Sequence, residues 1–121
     1  MANKVVWFDI PVTDLDRAIE FYSQVLRLKI EKAEIEPNYS IGVFPHENNE
    51  VAGCLYVSDE VSPAKNGPLL YLNANGRLDE AEKLAGQFGG KILQSKHSIG
   101  PHGFRSIVLD SEGNRIALHS E

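Results

Sequence analysis

Asp9 is the one charged residue in the apolar run Val5–Val12. A carboxylate on a strand that faces a pocket can act as a general base or hold a cation, and it can equally be tied up by an arginine such as Arg115 or by a backbone N–H. Trp7 lies two residues earlier, on the same side of an extended chain. Its indole can stack on a planar or cationic ligand, or simply fill space in a core. Tyr71 stands in a similar run later in the chain, where its hydroxyl can orient a ligand or serve as a wall. His97, His102 and His119 are imidazole donors, but no pair has a recognised metal-ligand spacing such as HExxH, so loop or surface positions suit them better. His102 sits in Gly100-Pro101-His102-Gly103, a glycine-bounded segment able to act as a lid at a cleft mouth. Cys54 lacks any nearby base in the sequence and reads as a small buried apolar residue.

The elements that must position these residues occur twice. Val6, Phe8, Ile10 and Val12 alternate with Val5, Trp7, Asp9 and Pro11, which predicts a strand with one apolar face. Thr13, with Asp16 three residues on, predicts a capped helix over Asp14–Leu26 whose apolar stripe includes Leu15, Ala18, Ile19, Tyr22, Val25 and Leu26. Arg27 stands where a glycine would end the helix more comfortably. Strands follow at Leu28–Ile35, Tyr39–Phe44 and Val51–Val57, then a Pro- and Gly-containing linker, Ser58–Pro68. The same order returns: strand Leu69–Ala74, turn Asn75-Gly76, helix Leu78–Phe88 and strands Lys91–Ser98, Phe104–Leu109 and Arg115–Ser120. The expected fold is α+β: two tandem βαβββ modules, residues 1–57 and 69–121, forming curved mixed sheets around a shared cleft with the helices outside. By alternation the cleft face carries Trp7 and Asp9; Leu69, Tyr71 and Asn73; and Phe104, Ser106, Val108, Arg115, Ala117 and His119. Apolar and aromatic walls with a few polar groups are what an organic-ligand pocket needs, so Trp7, Asp9, Tyr71, Asn73, Phe104, Arg115 and His119 are the candidate ligand-binding residues.

Composition narrows the partners. At 121 residues the chain suits one compact domain, or two half-domains on a common core. Its net charge of −5 is spread without a basic stripe, which argues against nucleic acid and is compatible, with Asp9, with a cationic ligand. No apolar run approaches the roughly 20 residues of a membrane span, and the first residues move straight into a strand rather than a signal peptide. A single cysteine excludes an internal disulfide and suits a reducing, cytoplasmic setting.

Val12-Thr13-Asp14-Leu15, Ala18, Phe21-Tyr22 and Val25-Leu26 near the start, Gly89-Gly90-Lys91-Ile92 in the second half, and the tail Asp110-Ser111-Glu112-Gly113-Asn114-Arg115-Ile116-Ala117-Leu118 together resemble the vicinal oxygen chelate superfamily. That group includes glyoxalase I, bleomycin-resistance proteins and extradiol dioxygenases. Arg27 and Ser111 depart from its usual glycine and proline. The resemblance implies paired modules enclosing a cleft, a homodimer, and, in the enzymes, a divalent metal held by one His or Glu from the first and last strand of each module. The matching positions here are Trp7, Cys54, Leu69 and Ala117. Three of these side chains supply no donor and one thiolate cannot hold such an ion alone, so no cofactor is expected, with a metal site built elsewhere left open. The resemblance therefore implies a binding protein for a small organic molecule that works without the standard metal. The alternatives are a metal-dependent lyase, isomerase or dioxygenase of glyoxalase type, and a module whose cleft meets a protein partner.

Overall fold

The computed structural model describes residues 3–121. Two four-stranded mixed sheets and two helices form the α+β architecture expected from the repeat. The first module runs β1 (Trp7–Pro11), α1 (Leu15–Leu26), β2 (Glu31–Glu36), β3 (Tyr39–Val43) and β4 (Ala52–Tyr56). The second runs β5 (Leu70–Asn73), α2 (Leu78–Gln87), β6 (Lys91–Ser98), β7 (Phe104–Leu109) and β8 (Arg115–Ser120), with a 3-10 turn at Gly100–His102. Strand order is β1-β4-β3-β2 in one sheet and β5-β8-β7-β6 in the other. Each module's first strand thus lies parallel to its last, because the helix crossover returns the chain in the same direction. Glu31, Lys32, Glu34 and Glu36 lie on the outer strand β2, where their charges stay in water. The sheets do not close on one another, and no helix among the described residues is long and apolar enough to cross a membrane.

The helices pack on one side of their sheets and share one core. Ile10 and Val12 from β1 and its exit, Phe21, Tyr22 and Val25 from α1, Leu55 from β4, Leu72 from β5, Ala81 and Ala85 from α2, and Ile116 and Leu118 from β8 belong to a single buried cluster. The first helix starts one residue later than expected. Asp14, rather than Thr13, is the N-cap, and its carboxylate accepts the N–H of Arg17. Arg27 does end α1, in the left-handed region at φ 53°, ψ 50°. A non-glycine residue there costs about 1 kcal/mol. Its guanidinium partly offsets this by donating twice to Glu80 at the start of α2, at 2.6 and 2.9 Å.

Thr13 is instead held by the other module. Glu112, in the turn between β7 and β8, accepts the Thr13 N–H and hydroxyl, the Asp14 N–H, two donors of Arg17 and the Ser111 hydroxyl. Its side chain has no exposed surface. Burial alone would raise the carboxyl's pKa. The bonds from Arg17, Asp14, Ser111 and Thr13 outweigh that and hold it at about 2. A depressed folded-state value means stability that is present above the unfolded carboxylate range and lost as pH falls toward the folded value. We therefore expect Glu112 to contribute about 2 kcal/mol that disappears between about pH 5 and about pH 2, discounted because Arg17 is half exposed. Urea melts at several pH values check this: Glu112→Gln should flatten the acid limb, and a limb identical to wild type would refute it.

Candidate functional site

Pairing registers show how the halves correspond. Asp9 lies beside Cys54 and Tyr71 beside Ala117. Val12 N–H donates to Tyr56 O, and Ala74 N–H donates to His119 O. Trp7 therefore corresponds to Leu69, and Cys54 to Ala117, as the repeat implied. The side chains on the helix-free face of each sheet form two clusters.

On the first sheet, Trp7 Nε1–H donates to Asp9 Oδ1 at 2.7 Å, and the Cys54 thiol donates to the same oxygen at 3.3 Å. Asp9 thus accepts from an indole and a thiol and forms no ion pair with Arg115. Trp7 is 44% exposed, so it covers the face rather than filling a core, and the His46 ring stands edge-on to it at 6.5 Å. Burial first, then the hydrogen bond and charge of Asp9, push the Cys54 thiol up to about 12. A thiol shifted upward in this way is a poor nucleophile at neutral pH.

On the second sheet the strands bring together residues that the sequence separates. His97, Arg105, His119 and Asn73 lie in one row across β6, β7, β8 and β5. Arg105 donates from Nε to His97 Nε2 at 3.0 Å and from Nη1 to the Tyr71 hydroxyl. His119 Nε2 lies 2.7 Å from His102 O, which ties β8 to the Gly100–His102 turn. A hollow of about 290 Å³ is bounded by Tyr71, Leu72, Asn73, Asn75, His119 and Glu121. Between the modules, Asp9 and Arg115 line a crevice of about 270 Å³ roofed by linker residues including Val61, Ser62 and Ala64. Two backbone-level bonds hold that roof: Asn114 Oδ1 accepts Ala64 N–H, and Ala64 O accepts Arg115 N–H.

Six of the seven candidate residues stand on these open faces; Phe104 does not. In an antiparallel pair, opposed residues share a face, and Phe104 opposes Ser120 while Ser106 opposes Leu118. Phe104, Ser106 and Val108 therefore point to the helix side. Ser106 donates to Glu82 of α2, and Lys96 lies 5.6 Å from the Phe104 ring. The residues of β7 on the open face are Arg105, Ile107 and Leu109. The expectation slipped by one residue because β7 reads apolar on both sides, and a one-residue slip exchanges the faces. Arg105 was consequently missed. Its signal in the sequence was a cation between Phe104 and Ser106, which gains meaning only once the register is known.

The positions that hold the metal in the resembled enzymes do not fit one here. Trp7, Leu69 and Ala117 offer no donor, and one thiol, here hydrogen-bonded to Asp9, cannot hold such an ion alone. Among the described residues no three His, Cys, Asp or Glu side chains converge on a common point.

The superfamily described as Glyoxalase/Bleomycin resistance protein/Dioxygenase matches residues 4–118. No curated protein matches. Among solved structures, a superfamily member from Sphaerobacter thermophilus shares 20% identity, with a TM-score of 0.70 over 100% of this chain and 99% of that one. A glyoxalase-related enzyme from Fulvimarina pelagi shares 17% identity, with a TM-score of 0.71 over 98% and 88%. The genomically encoded fosfomycin resistance protein FosX from Listeria monocytogenes shares 13%, with a TM-score of 0.70 over 100% and 93%. These identities speak for the fold, and the superfamily match over nearly the whole length settles the family. With its two βαβββ modules, the chain belongs to the glyoxalase/bleomycin resistance protein/dioxygenase superfamily.

Proposed function

We propose that this protein binds a small organic molecule on the open faces of its sheets without the metal its enzymatic relatives use, and that a second copy covers those faces in a cytoplasmic homodimer. One observation carries the reading: the four positions of the standard metal site are Trp7, Cys54, Leu69 and Ala117, while polar side chains that could hold a ligand remain around them. The exposure of Trp7 and Tyr71, 44% each, leaves an aromatic surface on each face for a ligand or a second copy to cover.

The test has two arms. Protein purified without chelator should carry no stoichiometric Ni, Zn, Fe or Mn by elemental analysis; one tightly bound ion per chain would favour a glyoxalase-type lyase, isomerase or dioxygenase instead. Thermal-shift screening against a metabolite panel should find a compound that stabilises by about 2.7 kcal/mol at a hundredfold excess over Kd. A panel without a single stabilising compound would turn the reading toward a module that only contacts protein.

A further inference from the structure

We infer that the ligand is an organic oxyanion, a carboxylate or phosphonate, held by Arg105 with Tyr71 beside it; the inference rests on the small-molecule reading and names its ligand class. The geometry sets donors against acceptors. A guanidinium carries five N–H donors. Arg105 spends one on His97 and one on Tyr71, and both acceptors are neutral. The remaining three have no partner among the described residues, and no carboxylate forms an ion pair with Arg105. Tyr71 accepts from Arg105, so its own O–H is free to donate. His97 places its Nδ1 2.9 Å from Ser95 O and its Nε2 against Arg105 Nε. Only the neutral tautomer with the proton on Nδ1 satisfies both contacts. His119 directs Nε2–H to His102 O and makes no hydrogen bond to Arg105.

The result is a fixed cation whose free donors converge with a tyrosine hydroxyl and lack an acceptor. Ile107 and Ala117 on the same face are already covered, so the accessible apolar surface beside Arg105 is the Tyr71 ring, 5.9 Å from the guanidinium carbon and 44% exposed. A planar carboxylate or a phosphonate matches the guanidinium fork, and an aromatic body matches the exposed Tyr71 ring. The acid bordering the neighbouring hollow, Glu121, makes no bond to Arg105 and is tied through its backbone to Asn75. Arg105 is oriented by two strands, through His97 on β6 and Tyr71 on β5, which is more anchoring than a solvated surface arginine has.

Phenylphosphonate and benzoate are suitable probes, with benzamidine as an aromatic cation of similar size and inorganic phosphate as the oxyanion without a body. In NMR titrations of wild-type protein, phenylphosphonate should move the Arg105 Nε–H resonance saturably, and phosphate should bind more weakly. Benzamidine should leave that resonance in place. Arg105→Gln should weaken phenylphosphonate binding at least tenfold, whereas Arg105→Lys should recover part of it. Lys29→Gln, the same loss of charge on the other module, should bind as wild type. Benzamidine binding as tightly as phenylphosphonate, or Arg105→Gln binding unchanged, overturns the inference. If Arg105→Gln fails to fold, the wild-type titration and Arg105→Lys still decide it. A neutral or cationic panel compound that binds independently of Arg105 overturns the oxyanion assignment alone. No binding by any panel compound or probe overturns the small-molecule reading and this inference together.

Discussion

Replacing Asp110 with alanine is expected to cost about 4 kcal/mol, a large part of the 5–15 kcal/mol that typically holds a domain folded. Four donors converge on this one buried carboxylate: the Tyr22 hydroxyl at 2.5 Å, the Glu112 N–H at 2.8 Å, and the Asn114 N–H and Nδ2–H, both at 2.9 Å. Tyr22 comes from α1 of the first module, and Asn114 Nδ2 also donates to Pro11 O at the end of β1. Alanine strands these donors in a region with almost no solvent, so their desolvation cost is no longer offset. At roughly 3–5 °C per kcal/mol for a domain of this size, the melting temperature should fall by about 15 °C. Tyr22→Phe should cost only about 1–2 kcal/mol, because the carboxylate keeps three donors. The two changes should be less than additive, since they share one bond. Urea unfolding of the four proteins checks the set, and an Asp110→Ala loss below about 1 kcal/mol would refute the clamp. The phenol adds a pH dependence of its own. Burial, then the charge and hydrogen bond of Asp110, hold Tyr22 well above its usual range. A raised value stabilises below the unfolded pKa and is lost above it, so alkaline unfolding should begin above about pH 10.

The second large effect is steric. A Cβ built on Gly90 would lie 2.4 Å from Leu109 O, 2.8 Å from Ala85 O and 2.9 Å from Phe21 Cε1. Two of these atoms are backbone carbonyls, one in β7 and one in the last turn of α2, where Ala85 O already accepts the Gly90 N–H. Neither can move without pulling an element with it. Gly90→Ala should therefore destabilise by about 3 kcal/mol or more. Gly86 lies four residues earlier, within α2, and a Cβ there meets nothing within 4 Å. Gly86→Ala should stabilise by up to about 1 kcal/mol, through helix propensity. Opposite signs for two Gly→Ala changes so close in the chain are the measurable signature; thermal melts with both variants destabilised alike would count against this account.

Both predictions concern residues that were visible in the sequence for another reason. Gly89-Gly90 and Asp110 through Asn114 lie in segments that carried the resemblance to the superfamily. The structure shows what these positions do. They bring the two modules together and let α2 approach its sheet. Neither role is legible locally, because Asp110 also binds Tyr22 in the other module and Gly90 lies against Leu109 O and Phe21, both distant in the chain.

The candidate site divides along the same line. Alternation placed Trp7 and Asp9, and in the repeat Tyr71 and Asn73, on one face correctly, because β1 and β5 have one apolar and one mixed side. It failed at β7, where Ile107 and Val108 are apolar neighbours and the pattern fits either face. Only pairing with β8 removes that ambiguity. The same pairing moves Phe104 to the helix side and brings Arg105 beside Tyr71 and His97.

The sequence by itself determined the duplicated module, the order of its elements and the lack of a donor at three of the family's four metal positions. Those follow from residue types and a repeat, which need no knowledge of what lies across the chain. The tertiary structure decided which residues meet. Strand register, set by hydrogen bonds between segments far apart in the chain, brought Arg105 together with His97, His119 and Tyr71 and bound Asp9 to Trp7 and Cys54.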